Sequence, residues 1–154
     1  MWKYESDDWE NISLHDHTFD RTRLDGDDIM LVFDDGFDVV KTHHLNDTEK
    51  SKHTTASQII LKNGKLIKGT ILRYIGSDRQ GREEEIDLAW LLNFAHGIEV
   101  LKFSMENNVF MLFSQAMYEG EMEFLTLEIS CSDVLFCWND YSADAWFEGW
   151  SKNV

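Results

Sequence analysis

The sequence predicts an α+β fold, mainly antiparallel β, either barrel-like or a two-layer sandwich, with one mid-chain helix and a short C-terminal helix. Three observations carry that expectation. Short apolar runs are separated by turn signals such as Asp25-Gly26, Asn63-Gly64 and Glu119-Gly120, the kind of pair that tight hairpins favour. The 154 residues include no proline, which suits long central strands because proline cannot donate to a ladder. Hydrophobic residues make up 43% of the chain, with ten Phe, six Trp and four Tyr, enough large apolar surface for a packed core rather than a solvated coil. The length suits one domain. No repeat or composition break marks a linker, so residues 1–154 read as a single domain.

The first half reads as hairpins. Ile12 to Leu24, rich in Thr and apolar residues, ends at Asp25-Gly26. Asp28-Ile29-Met30-Leu31-Val32-Phe33 follows as a strand, and Asp34-Asp35-Gly36 turns the chain into Phe37-Asp38-Val39-Val40. Polar residues from Lys41 to Ser57 read as a loop or exposed edge. Gln58 to Leu61 and Leu66-Ile67 flank Asn63-Gly64 as a further hairpin, and Thr70 to Ile75 continues as strand before Gly76 to Gly81 breaks it.

Glu83-Glu84-Glu85 places acids where a helix N-terminus favours them, and Ile86, Ala89, Trp90 and Phe94 recur at helical spacing. His96-Gly97 fits the end of that helix, with Gly97 as a left-handed cap. From Ile98 the pattern returns to strands. Leu101, Phe103 and Met105 alternate with polar residues, Asn107-Asn108 turns, and Val109 to Phe113 reads as a strand buried on both faces. Leu125, Leu127, Ile129 and Cys131 alternate, and Val134 to Trp138 completes the sheet. Tyr141 to Trp150 is expected to form the short terminal helix, capped by Asp140 or Ser142. The total is eight or nine strands.

Charge narrows the functional classes. With 29 acids against 14 bases the formal net charge is −15, a field that repels nucleic-acid phosphates and anionic membranes and attracts basic partners. The charge is divided: residues 1–40 hold 12 acids and 3 bases, residues 41–77 hold 2 and 7, and residues 78–154 hold 15 and 4. The basic middle is therefore expected to be answered by its acidic flanks within the fold. The acids left over define the expected partner-binding residues: Asp25, Asp27, Asp28, Asp34 and Asp35. The N-terminus turns acidic at once and has no apolar signal-peptide core, which points to the cytoplasm. No window is apolar for long enough to span a membrane as a helix. Cys131 and Cys137 lack CxxC spacing and read as small buried hydrophobes, although a disulfide between them is an open alternative.

No motif dictates a reaction. The chain has no Gly-x-Ser-x-Gly elbow and no phosphate-cradling glycine loop. The densest candidate is Leu14-His15-Asp16-His17 with Asp20 beyond it. On a strand, His15 and His17 would share one face. A zinc site needs three or four converging ligands, and a further one would have to come from His43, His44, His53 or Asp20. Nothing in the spacing requires this, so no metal or cofactor and no catalytic residue is expected. Trp90, Trp138, Trp146 and Trp150 could line a pocket, but their company of Leu, Phe and Ala favours packing.

The stretch Trp9-Glu10-Asn11-Ile12-Ser13-Leu14-His15-Asp16, followed by a glycine turn and Ile29-Met30-Leu31-Val32-Phe33-Asp34, resembles the start of small bacterial β-rich proteins with an early Leu-His-Asp strand. Some of these are grouped with the immunity proteins of polymorphic and contact-dependent toxin systems. The resemblance covers about the first 40 residues. It implies a cytoplasmic, non-catalytic protein that neutralises a toxin by binding it, with His15 and Asp16 as a polar pair fixing the first hairpin. Composition agrees, since an acidic inhibitor steers toward a basic toxin. The expected function is thus a non-enzymatic acidic binding protein of immunity or antitoxin type, monomeric or homodimeric, with a basic protein partner. The alternative is a small-ligand-binding β-barrel or an enzyme with an interior aromatic pocket. A third reading, an acidic mimic of nucleic acid, would need rows of acids at duplex-like spacing.

Overall fold

Strand-forming residues dominate the chain, and the computed structural model, which describes residues 1–74 and 81–150, arranges them in antiparallel sheets. The N-terminal strands are β1 (Tyr4–Ser6), β2 (Ile12–Ser13), β3 (Thr18–Phe19), β4 (Arg21–Asp25), β5 (Asp28–Phe33) and β6 (Asp38–Val39). Then come β7 (Lys52–Thr54), β8 (Ser57–Lys62), β9 (Lys65–Tyr74), β10 (Gly81–Glu85) and the helix α1 (Leu88–Asn93). The C-terminal strands are β11 (Ile98–Glu106), β12 (Val109–Tyr118), β13 (Glu121–Ser130), β14 (Asp133–Trp138) and β15 (Tyr141–Asp144). The eight or nine strands expected become fifteen among the described residues, because several expected runs break into short pieces. The expected break from Gly76 to Gly81 lies outside the described residues up to Gln80.

The strands form three sheets: β1-β14-β8-β5-β4, β10-β9-β13-β12-β11-β3 and β15-β7-β6-β2. Among the described residues none closes into a barrel. One core joins all three. It includes Leu14, Phe19, Phe33, Phe37, Phe136 and Trp138, all buried. Phe33 meets Phe37 edge-on at 5.7 Å, and Phe37 meets Phe136 at 5.9 Å, the geometry that aromatic quadrupoles prefer.

Turn chemistry explains the best-formed hairpins. Gly26 (φ 59°) joins β4 to β5, Asn107 and Asn108 (φ 51° and 61°) join β11 to β12, and Glu119-Gly120 (φ 52° and 85°) joins β12 to β13. Positive φ at both central residues of the last two turns, and at the first central residue Gly26 of the β4–β5 turn, matches the right-handed strand twist.

Several expectations are overturned. Asn63-Gly64 is a crossing between sheets, not a hairpin: β8 pairs with β5 and β14, whereas β9 pairs with β10 and β13. Glu83-Glu84-Glu85 belongs to β10, opposite Leu72, Ile71 and Thr70 of β9, where all three acids can remain exposed. The helix begins later, with the Asp87 carboxylate accepting a 2.8 Å hydrogen bond from the backbone N–H of Trp90, a standard N-cap. Gly97 has no left-handed φ. It is needed because a Cβ there would lie 2.5 Å from Thr18 Cγ2. Strand β12 buries one face only, through Phe110, Leu112, Ser114 and Ala116, and leaves Phe113 exposed. The expected terminal helix gives way to β15, paired with β7, followed by turns from Trp146 to Gly149. Cys131 and Cys137 are buried, free thiols.

Candidate functional site

The internal use of charge is visible pair by pair. From the basic middle, Lys50 and Lys52 bind Asp144, Lys62 binds Asp28, and Arg73 reaches Glu84, Glu119 and the buried Glu123. Arg73 also lies 4.8 Å over the ring of Tyr118. Four of the segment's seven bases are thus answered within the fold, while Lys41, Lys65 and Lys68 form no ion pair among the described residues.

The five acids expected to bind a partner do not form one cluster. Asp25 and Asp27 flank the β4–β5 turn, and Asp34 and Asp35 lie at the other end of β5, whose six residues span about 20 Å of extended chain. Two of the five are already engaged. Asp28 accepts from the Asn63 backbone N–H at 3.0 Å and from Lys62 at 3.2 Å, and these contacts, the Asn63 bond foremost, hold its carboxyl below the usual range. Asp34 takes a two-pronged bond from Arg21, both contacts 2.9 Å. Asp25, Asp27 and Asp35 are exposed and pair with no cation among the described residues.

The expectation that His15 and His17 share a strand face fails, because Leu14 to His17 is a turn. The His17 N–H donates to the Leu14 carbonyl at 2.9 Å, and Asp16 adopts φ 66°, a conformation Asp tolerates better than most residues. The two rings part. His15 Nδ1 donates to the Leu101 carbonyl at 2.8 Å, and its ring lies 6.0 Å from Trp146. The ring of His17 turns inward instead.

There it meets a group that sequence spacing did not reveal. Asp38 stands opposite His53 across β6 and β7 and opposite Ser13 of β2. Its side chain is fully buried, with Oδ2 2.7 Å from His17 Nε2 and Oδ1 2.7 Å from His53 Nδ1. His53 Nε2 donates to the Asp35 carbonyl. The signal available in the sequence was Asp38 itself, a lone acid inside the apolar run Phe37-Asp38-Val39-Val40, since a buried carboxylate requires partners. Comparison with protein-family models, curated proteins and solved structures finds no match for this chain.

A second cluster gathers Asp8, His43 and His44. His43 is buried, its Nδ1 accepts the Leu45 backbone N–H at 3.0 Å, and its Nε2 has no partner. An accepting Nδ1 leaves the proton of the neutral ring on Nε2, so that nitrogen has no lone pair to offer a metal. The His17–Asp38–His53 set has no such conflict.

Two further features lie at the surface. Trp90 stacks on Phe94 at 4.7 Å, and with Tyr118, His96, Asp87 and Glu119 they line a cleft of about 560 Å³ open to solvent. Trp138 is buried in the core, whereas Trp146 and Trp150 are exposed. On the outer face of the six-stranded sheet, Phe113, Met117 and Met122 are 42%, 43% and 53% exposed. Phe113 stacks on Phe124 at 5.4 Å there. No helix among the described residues is long and apolar enough to cross a membrane.

Proposed function

We propose that this protein is a non-enzymatic acidic binding module, of the immunity or antitoxin type, that neutralises a basic protein by covering it. Its two larger sheets would serve as the layers of a sandwich-like scaffold. The observation that carries this reading is the fate of the cations. Lys50, Lys52, Lys62, Arg73 and Arg21 are engaged by internal acids, whereas Arg23, Lys41, Lys65, Lys68 and Lys102 form no ion pair among the described residues. The excess of acids over bases, 29 against 14, leaves many acids without internal cations, Asp25, Asp27 and Asp35 among them. Such a field accelerates encounter with a basic partner and falls off with salt. Phe113, Met117 and Met122 are the apolar contacts that the partner would bury, with Lys102 opposite Phe113 and Glu128 opposite Met111 on the neighbouring strands. That composition, aromatic and Met at the centre with charge at the rim, suits an interface.

The test is genetic and direct. The product of the adjacent reading frame is expressed alone and together with this chain in a bacterial host. Growth arrest relieved by co-expression, with a complex that weakens at high salt, is the expected outcome. A neighbour that is harmless, or whose toxicity is unaffected, contradicts the proposal.

A further inference from the structure

We propose that His17, Asp38 and His53 form a binding site for a divalent transition-metal ion of the zinc class. Three observations converge on it. First, the ligand atoms of the three side chains all lie within 4.8 Å of one another, and three protein ligands plus a solvent molecule make a common zinc set. Second, the hydrogen bonding of His53 prepares it for ligation. Its Nε2–H is committed to the Asp35 carbonyl, the outer contact that metal-bound imidazoles typically make. In the neutral ring this places the lone pair on Nδ1, aimed at Asp38 Oδ1 from 2.7 Å. Two lone pairs cannot face each other at that distance, so a proton bridges Nδ1 and Oδ1 in the metal-free pair, at the position from which a bound ion would displace it. Third, the frame is fixed before any ion arrives. Asp38 and His53 are cross-strand partners. The turn bearing His17 is held by Asp16 N–H to Val100 O at 2.9 Å and Val100 N–H to His17 O at 2.8 Å.

The donor chemistry selects the ion. Two imidazoles and one carboxylate suit zinc, cobalt, nickel or copper, whereas calcium and magnesium require an oxygen cage. With bonds of about 2.0–2.1 Å, a tetrahedral ion needs its ligands about 3.3 Å apart. Ligation would therefore open the 2.7 Å contacts to that spacing. The side chains of His17 and His53 are 13% and 22% exposed, so solvent can reach the ion and supply the fourth ligand. Held there, the ion would tie the Leu14–His17 turn to β6 and β7.

The experiment titrates the full chain with Co2+, read by the visible absorption of tetrahedral cobalt, and with Zn2+, read by calorimetry. The expected result is one tight equivalent and a zinc-dependent rise in Tm. His17→Gln and His53→Gln should each weaken binding by at least about tenfold, and His44→Gln should leave it unchanged. Weak binding of several ions across the acidic surface would overturn the proposal. Loss of the site in His44→Gln, or its persistence in both other variants, would also do so. If a variant fails to fold, the wild-type stoichiometry and cobalt spectrum still decide the matter. No outcome bears on whether a basic partner exists.

Discussion

Asp38 and His53 face one another across neighbouring strands, and Asp38 Oδ1 lies 2.7 Å from His53 Nδ1 although the carboxylate is wholly removed from solvent. A second imidazole, from His17, reaches the other oxygen. Removing the acid would strand both rings. Asp38→Ala is expected to cost about 3 kcal/mol, the scale for breaking a buried charged pair. The measurement is the urea midpoint at fixed m. A loss below about 1 kcal/mol would show that the three groups relax independently.

Gly36 is tightly constrained. It has φ 81°, and a Cβ there would lie 2.3 Å from the Thr54 carbonyl oxygen. Left-handed backbone alone costs a side chain about 1–2 kcal/mol, and here a backbone clash is added. Gly36→Ala should therefore lose more than about 2 kcal/mol, while Gly26→Ala, which meets nothing within 4 Å, should lose only the backbone term of about 1 kcal/mol. Equal losses in paired denaturation curves would refute the assignment of that close approach.

Burial pushes the Cys137 thiol up to about 12 and raises Cys131 as well. Since the thiolate is the reactive form, neither cysteine should be alkylated at pH 8 faster than the chain unfolds, and both should react promptly in denaturant. Rapid labelling of native protein would contradict the burial of these side chains.

His43 lies against Trp138 with ring centroids 5.4 Å apart. Burial lowers its pKa below the ordinary 6.5, the nearby Asp8 opposes this, and His44 adds to the lowering. In sign, an imidazole kept neutral in the native state gives stability that is complete above the unfolded value and is lost as pH falls through 6.5 toward the folded value. NMR titration of the His43 ring should give a midpoint below 6.5. A midpoint at or above that value would contradict the buried, neutral ring.

The parts of the fold legible in the sequence are those governed by local chemistry. Asp25-Gly26, Asn107-Asn108 and Glu119-Gly120 all form the tight turns expected, because positive φ depends on the residues at the turn itself. Sheet membership was not legible. Strands β8 and β9 are separated by only Asn63 and Gly64 yet enter different sheets. Their destinations depend on pairing with β14 and β13, far along the chain. Glu83 to Glu85 misled for a related reason. Three acids suit a helix start, but they equally suit an exposed edge strand when β9 supplies the ladder. The cluster at Asp38 joins residues 21 and 15 positions away, a spacing no local pattern encodes. Of the candidate ligands around the Leu-His-Asp-His segment, His17 and His53 are brought together, whereas His15, His43 and His44 go elsewhere.

The reading as an acidic binder turns on the acids that the fold leaves without cations. Stopped-flow association of the purified protein with the product of the adjacent reading frame, followed across ionic strength, tests it most directly. The association rate should fall steeply with salt, and the triple change Asp25→Asn, Asp27→Asn and Asp35→Asn should lower both the rate and its salt dependence while leaving stability within about 0.5 kcal/mol. An association rate indifferent to salt and to those three substitutions would contradict it.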